Sequence, residues 1–428
     1  MIHDFIIIGC GVSGIMAAQM VKKRTNKFLI LERGDKIGGI WESYSKDHTC
    51  LQHNSSMYLL DSYFHVPGKS LPPSYASRNF IMKRLKEFII YHKLIKHIKF
   101  RTNVNSFTEK DGIITVKVTY NGSLKTIKTR YLFVCTGNLS VPKSLGIGDN
   151  RIINYAEIKD YDKYFKGKKS LLVIGAGASG VEACLNAIRH NIKDITMLYN
   201  NNLGFYFNNW FLEYLFTIIH ILPKRIANYI YIKIQYMMAA SMDLELPPYI
   251  GNCDVLHPFS TRFIKEWNKG RIRILKNTGT SVQKKLIERV DGVIETIGFD
   301  HSLSQFKMHP NELYNLNTKH INYDNVYFIG LNRPNTGTTP YSNYILLCGI
   351  MDYIDKGINK VSNVDDVFYT PNLFIRYFMD LDLNIYPFFD IIGFWLYSLW
   401  LHICRYFYVW MFTKSKRYPK RIFRKRRS

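Results

Sequence analysis

Twice in this chain a short apolar run breaks into Gly-x-Gly-x-x-Gly: FIIIGCGVSGIMA from Phe5 to Ala17, and LLVIGAGASGVEA from Leu171 to Ala183. This pattern leaves few choices of fold. The apolar run reads as a buried parallel strand, and the small residues after the glycines read as a helix packed on it. The first glycine permits a tight turn. The second lets another group approach the backbone, and the third lets helix lie close to strand. In the first copy these are Gly9, Gly11 and Gly14; in the second they are Gly175, Gly177 and Gly180. Outward N–H groups and the positive end of the helix form an anion site, so each turn is built to take a pyrophosphate.

The next strand separates the two copies. After the first turn, KFLILERG places a strand over Phe28 to Leu31 and Glu32 at its end. An acid there accepts the ribose hydroxyls of a dinucleotide. Strand, turn, helix, strand and acid all agree. After the second turn, a strand over Ser170 to Ile174 is followed by DITMLYNNN, which ends near Tyr199 or Asn200. This is neither an acid for a free ribose nor an Arg for a 2′-phosphate. The second unit therefore predicts the fold of a nucleotide domain without a recognisable nucleotide reader.

The 428 residues suffice for two or three domains. Seven scattered cysteines without a Cys-x-x-Cys pair argue against a disulfide scaffold, a zinc site and a thioredoxin-like redox pair, and fit a reducing compartment. Ile6 to Ile8 run directly into the glycine turn, so the opening reads as a buried strand rather than a secretion signal. The formal charge of +25 is spread through a Lys-rich chain but concentrates in KSKRYPKRIFRKRRS, Lys414 to Ser428. Just upstream, IIGFWLYSLWLHIC (Ile391 to Cys404) is uncharged, and Trp395, Trp400 and Trp410 give the region interfacial character. The uncharged core is short for a span. A helix lying in the membrane interface, its basic residues on anionic lipid, is the preferred expectation over a single span through residues about 383–428. The apolar run beside the basic tail argues against nucleic acid as its partner.

Two such units in one chain predict a flavoprotein, with one nucleotide held permanently and a second that reduces it. The motifs downstream resemble the flavin-containing monooxygenases, the class B flavin monooxygenases. IGGIW (Ile37 to Trp41) is similar to their Gly-Gly-x-Trp, and CLQHNSS to their Leu-x-x-Asn, which puts Asn54 at the family's Asn. FRTNV (Phe100 to Val104) resembles the strand that meets the adenine, and YLFVCTGNLSVP (Tyr131 to Pro142) the segment usually ending Ala-Thr-Gly. VDGVIETIGF (Val290 to Phe299) and the closing segment Val326 to Ile354 follow in the family's order. Gly330-Leu331 stands where disulfide-reductase relatives carry Gly-Asp, and no Cys pair accompanies it. The family's linker fingerprint, Phe-x-Gly-x-x-x-His-x-x-x-aromatic, is missing before the second turn; its His position is held by Asn154 or Tyr155.

The resemblance implies FAD as resident cofactor and NADP (or NAD) as the electron donor. It implies NAD(P)H- and O2-dependent oxygenation, through a C4a-hydroperoxyflavin, of a small substrate with a soft nitrogen or sulfur. Asn54 is the implied catalytic residue, a neutral carboxamide able to donate to the oxygen adduct or the nicotinamide; a turn-forming Asn is the alternative. The implied cofactor contacts are Gly9, Gly11, Gly14, Glu32, Arg33, Gly39, Trp41, Val104, Thr136 and Gly137 for the flavin, and Gly175, Gly177, Ser179 and Gly180 for the nicotinamide dinucleotide. The alternative reading of Trp41 is a packing residue, and the favoured reading of Ser179 is a small residue for close packing. The alternatives are a flavin-dependent NAD(P)H oxidase or reductase without oxygen insertion, or a non-enzymatic membrane flavoprotein with a degenerate nicotinamide site.

The expected fold is α/β with parallel sheets: two Rossmann-like domains, the second inserted in the first, and a C-terminal apolar helical tail. The expected boundaries are 1–150 and 295–360 for the flavin domain, and 151–294 for the inserted domain, with a helical insertion at about 205–250. Residues 361–428 form the expected tail, which places the protein on the cytosolic face of a membrane (endoplasmic-reticulum-like or inner membrane).

Overall fold

The computed structural model describes residues 2–355, apart from 44–48, 140, 210–211, 214–223, 251–257, 259, 301, 307, 309–312, 314–318 and 332–338. The expected tail, 361–428, lies outside the described residues. Among the described residues no helix is long and apolar enough to cross a membrane.

The first glycine unit forms as its pattern requires. Strand β1 (Ile2–Ile8) leads through the turn into helix α1 (Val12–Lys22) and returns as β2 (Phe28–Leu31). Every residue of α1 from Gly14 to Val21 is buried, which is why this helix shows no polar stripe. After the short helix α2 (Ile40–Ser43), helix α3 (Arg78–Tyr91) begins at Ser77, whose side chain accepts the Phe80 N–H. Strand β3 (Ile98–Lys99) extends the sheet beside β2, and β4 (Thr102–Lys110), β5 (Ile113–Tyr120) and β6 (Ser123–Val134) complete it in the order β3-β2-β1-β6-β5-β4.

Here the structure departs from the expected all-parallel sheets. β1, β2, β3 and β6 pair in parallel, whereas β4-β5-β6 is an antiparallel meander. Two tight turns cause it. Asp111-Gly112 and Asn121-Gly122 all have positive φ, between 49° and 77°. That geometry suits two-residue hairpin loops, because its twist matches that of the flanking strands.

The chain then passes through β7 (Val141–Pro142) into a second, five-stranded sheet. Its strands are β8 (Ile152–Asn154), β9 (Ser170–Ile174), β10 (Asp194–Tyr199), β11 (Arg273–Lys276) and β12 (Gly292–Glu295). All pair in parallel, in the order β11-β10-β9-β12-β8. Helices α4 (Tyr161–Phe165), α5 (Ala178–Arg189), α6 (Lys224–Ser241), α7 (Thr261–Asn268) and α8 (Thr280–Glu288) belong to this part of the chain. Leu203 and Ile250 bridge at the base of the 205–250 insertion, from which α6 rises.

β13 (Phe299–Asp300) pairs antiparallel with β7, so the outgoing and returning linkers hold each other. β14 (Val326–Phe328) then docks on β6 in parallel, and α9 (Thr339–Asp355) packs beside α1. The two sheets have separate cores. One gathers Ile6, Ile8, Val116, Leu132, Val134 and Phe328; the other gathers Leu171, Val173, Ala183, Met197, Phe263 and Ile294.

Candidate functional site

The first turn is held by contacts only glycine tolerates. Gly9 has φ +98°, and a Cβ there would lie 2.7 Å from the Cys135 carbonyl oxygen. A Cβ on Gly14 would lie 2.0 Å from the Gly9 carbonyl oxygen. Gly11 caps α1, which carries no acid in its first turn. The N–H groups of that turn have no preceding carbonyls to bond and add to the positive end of the helix. Gly39 (φ +56°) packs against this turn: its Cβ would come within 3.0 Å of the Gly11 Cα. The Gly-Gly of IGGIW is thus part of the cradle.

Glu32 does more than mark a strand end. One carboxylate oxygen accepts the Cys10 N–H at 2.7 Å, and the other accepts the Gly34 N–H at 2.8 Å. The carboxylate is aimed by two backbone donors and keeps lone pairs for a diol. Beside it opens a cavity lined by Gly9, Gly11, Glu32, Arg33, Gly39, Val104, Thr136 and Gly137, all expected contacts. The same cavity is lined by Ser13, Tyr58, Gln305 and Phe306, which sequence reasoning missed, and by Gly330 and Asn343 of the closing segment that the resemblance made flavin-facing. Ser13 and Asn343 meet across most of the chain, with the Asn343 amide donating to Ser13 Oγ at 2.8 Å. Gly330 fits between them because a Cβ would be 2.5 Å from Ser13 Oγ. Burial pushes the Cys10 and Cys135 thiols well up, so both stand as neutral fillers behind the turn. An anion over the α1 N-terminus, with a diol at Glu32, is what these groups fit: a dinucleotide such as FAD.

Trp41 is buried but does not line the cavity. Its indole N–H donates to the Tyr58 hydroxyl at 2.6 Å, and the rings meet edge to face at 5.9 Å. Tyr58 is the ring on the cavity wall, and burial pushes its phenol up to about 12. Trp41 is therefore placed behind the wall, holding Tyr58.

Asn54 also stands off the cavity wall, at 1% exposure. Its Oδ1 accepts the Ser56 N–H at 3.0 Å, as a turn-forming Asn does. Its Nδ2 is buried without a hydrogen-bond partner among the described residues. An unsatisfied buried donor costs about 1–3 kcal/mol, so such a group calls for a reason, and a bound ligand is one. The Asn54 N–H donates to Glu213 Oε2 at 2.6 Å. Glu213 comes from the insertion, and sequence reasoning did not single it out. A charged residue inside the aromatic run FYFNNWFLEYLF was the available signal.

The second turn repeats the backbone of the first. A Cβ on Gly175 (φ +117°) would lie 2.5 Å from the Thr296 carbonyl oxygen, and one on Gly180 would lie 2.1 Å from the Gly175 carbonyl oxygen. Gly177 faces open space and Ser179 is half-buried. None of the four lines the cavity of the first sheet. The Thr296 hydroxyl is shared between the carbonyls of Ile174 (2.9 Å) and Gly175 (3.0 Å). At the end of β10, Tyr199 is buried and the Asn200 amide oxygen accepts from Asn277 at 3.0 Å. Asn277 also reaches Gln283 at 3.3 Å. Neutral amides thus occupy the reader's position. Of the two candidates for the missing linker His, Asn154 binds the Lys143 carbonyl at 2.8 Å and the Ala156 N–H at 3.0 Å, which fixes the linker instead.

Two glycine turns, one mixed and one parallel sheet and a paired-strand linker define an oxidoreductase built on two dinucleotide-binding domains. The family model described as pyridine nucleotide-disulphide oxidoreductase matches residues 6–220, half of the chain, and the protein belongs to that family. None of the five cysteines among the described residues is in a disulfide. The relatives it resembles are flavin monooxygenases, as the motifs predicted. It is 25% identical over 237 residues to the probable indole-3-pyruvate monooxygenase YUCCA1 of Arabidopsis thaliana, covering 53% of this chain and 50% of that protein. It is 28% identical over 210 residues to the FAD-containing monooxygenase EthA of Mycobacterium tuberculosis, covering 46% and 41%. The chain thus spans about half the length, or less, of these curated relatives. Its fold is shared with OTEMO in complex with FAD and NADP (TM-score 0.60, 15% identity, 83% and 85% covered) and with Tmm from Pelagibacter sp. (0.57, 16%, 94% and 86%).

Proposed function

We propose that this protein is an FAD-dependent monooxygenase that uses NAD(P)H and O2 to oxygenate a small substrate carrying a soft nitrogen or sulfur. One observation carries the reading. A complete dinucleotide cavity in the first sheet stands next to a second glycine domain that is hydrogen-bonded to the Asn54 loop. Thr49 Oγ1 donates to Glu182 of α5, Asn208 Nδ2 donates to the Gln52 carbonyl at 2.7 Å, and Glu213 accepts the Asn54 N–H. The names of the relatives, FAD-containing and indole-3-pyruvate monooxygenases, and the FAD and NADP held by OTEMO support the same reading.

FAD, when bound, supplies hydride acceptance and the activation of oxygen. The chain supplies the rest. Glu32 binds the ribose diol, and the N–H groups at Gly11 to Ser13 bind the pyrophosphate. Tyr58, backed by Trp41, closes one wall and excludes water. Asn54 Nδ2, set behind the cavity wall, would donate to bound nicotinamide without adding charge. Gly175, Gly177, Ser179 and Gly180 receive the second dinucleotide. We place the protein on the cytosolic face of a membrane through residues about 383–428; full recovery in the soluble fraction after lysis without carbonate or detergent overturns that placement.

The test uses purified full-length protein. It is expected to be yellow, to bleach anaerobically with NADPH or NADH, and to transfer one atom of labelled O2 to a tertiary amine or a thioether. A colourless protein overturns the reading. Bleaching followed by stoichiometric peroxide without labelled product establishes an oxidase instead. A yellow protein that neither nucleotide bleaches establishes a flavoprotein with a degenerate second site, the outcome that the Asn200–Asn277 amides would favour.

A further inference from the structure

Glu213 lies in the insertion of the second domain, yet its carboxylate is used by the first. Its side chain is buried, at 1% exposure. One oxygen accepts the Asn54 N–H at 2.6 Å, the other accepts the Tyr75 hydroxyl at 2.9 Å, and His53 Nδ1 lies 3.7 Å from the former. All three groups belong to the loop that leads into α3. A buried carboxylate carries a large desolvation penalty, which these hydrogen bonds must offset. The segment before Glu213 is braced on its own domain: the Phe207 N–H donates to Gln235 of α6 at 2.9 Å, and the Asn208 N–H donates to Thr261 of α7 at 2.9 Å. Glu213 is the end of a strut that starts in the second domain and stops at the main chain of Asn54.

That contact decides how Asn54 stands. Its N–H is fixed by Glu213 and its Oδ1 by Ser56, so Nδ2, which has no partner among the described residues, has its direction set from both sides. We propose that Glu213 is the positioning residue for Asn54: it holds the amide donor in place only while the second domain is docked, and so ties nicotinamide-domain docking to the chemistry at the flavin. This rests on the monooxygenase reading above. Glu213 does not line the flavin cavity, so flavin content is not its readout.

The experiment compares Glu213→Ala, Glu213→Gln and the wild type, loaded with FAD, by amide hydrogen exchange across residues 50–57 and by the fraction of NADPH electrons recovered as oxygenated product rather than peroxide. The alanine variant is expected to exchange faster at Asn54 and to lose product coupling about tenfold to a hundredfold, the range for losing a charge-assisted hydrogen bond, with flavin content unchanged. The glutamine variant keeps a carbonyl acceptor for the Asn54 N–H and is expected to restore slow exchange and most of the coupling. On an Asn54→Ala background, Glu213→Ala is expected to add nothing. Wild-type exchange in the alanine variant, or fully additive losses in the double variant, overturns the proposal. Where the alanine variant does not fold, slow exchange with full coupling loss in the glutamine variant overturns it. A wild type that makes no oxygenated product refutes the monooxygenase reading, and the exchange comparison still decides whether Glu213 sets Asn54.

Discussion

A Cβ on Gly9 would press on the carbonyl of Cys135 at 2.7 Å, and one on Gly14 on the carbonyl of Gly9 at 2.0 Å; Gly175 and Gly180 stand in the same relation to Thr296 and Gly175, at 2.5 Å and 2.1 Å. Each turn joins a parallel-paired strand to a helix of similar length. Beyond the turns the two regions part. The first has Glu32 bound to two backbone donors and a lined cavity beside it. The second has Asn200, Asn277 and Gln283 joined to one another. The glycines answer to the packing of helix on strand, which is needed whatever is bound. The choice of ligand is made one strand later, by a single side chain. A glycine fingerprint by itself therefore reports architecture, and the residue after the next strand carries the ribose contact.

The comparison breaks most violently at the packing glycines. Gly14→Ala forces a methyl against a backbone carbonyl that the sheet holds in place. Overpacking of this kind costs about 1–3 kcal/mol or more, and the turn that moves is the one that holds pyrophosphate. The expected product is apoprotein without the flavin absorption band. A yellow Gly14→Ala protein with wild-type melting would show that the turn yields more easily than its contacts indicate. Next in size is Glu32→Ala, which removes an acceptor from the Cys10 and Gly34 N–H groups together with the diol reader. Hydrogen bonds to a charged group contribute about 1.5–3 kcal/mol, so FAD affinity is expected to fall by roughly 10- to 150-fold in a titration of the apoprotein. Asn200→Ala at the matching position of the second domain is expected to leave FAD affinity where it was.

How much of this was legible in the sequence follows from the range of each interaction. The turns, their strands and Glu32 were readable because local periodicity and spacing set them, whereas Val104, Thr136 and Gly137 followed from the resemblance of short local motifs to the monooxygenase family. The antiparallel meander was readable too, from Asp111-Gly112 and Asn121-Gly122, but alternation of strands and helices pointed to parallel sheets and overrode it. Trp41 was legible as buried, not as the support of Tyr58, since that pairing depends on how a loop folds back. Ser13 with Asn343, Gly330 between them, and Glu213 under Asn54 were out of reach. Each joins residues more than 150 positions apart, and nothing in one sequence says which distant polar residues will share a burial site.

A finer probe separates nucleotide approach from packing in the second turn. Gly177 has φ −87° and its Cβ would meet nothing within 4 Å among the described residues. Gly177→Ala is therefore expected to leave folding intact while it fills the space through which a phosphate nears the backbone. NADPH affinity, read from the concentration dependence of anaerobic flavin bleaching, is expected to weaken by about tenfold, one lost hydrogen bond of ordinary strength to an anion. Unchanged affinity would mean that the second turn keeps its glycines for packing alone.

The smallest effect is the most discriminating between the two turns. Behind the first stands the Cys135 thiol, a weak donor that burial keeps protonated. Behind the second stands the Thr296 hydroxyl, shared between two carbonyls at the turn. Thr296→Val keeps the branched shape and removes that O–H. The Ile174 carbonyl retains the Thr296 backbone N–H at 2.8 Å, so only part of its bonding is lost. A net loss of about 0.5–1.5 kcal/mol is expected, confined to the unfolding transition of the second domain, with FAD content and the first domain's transition unchanged. Two sheets with separate cores predict that confinement, because distant sites with no shared partners add independently. If flavin release moves with the valine substitution, the linker strands β7 and β13 transmit strain between the turns, and the two regions must be treated as one cooperative unit.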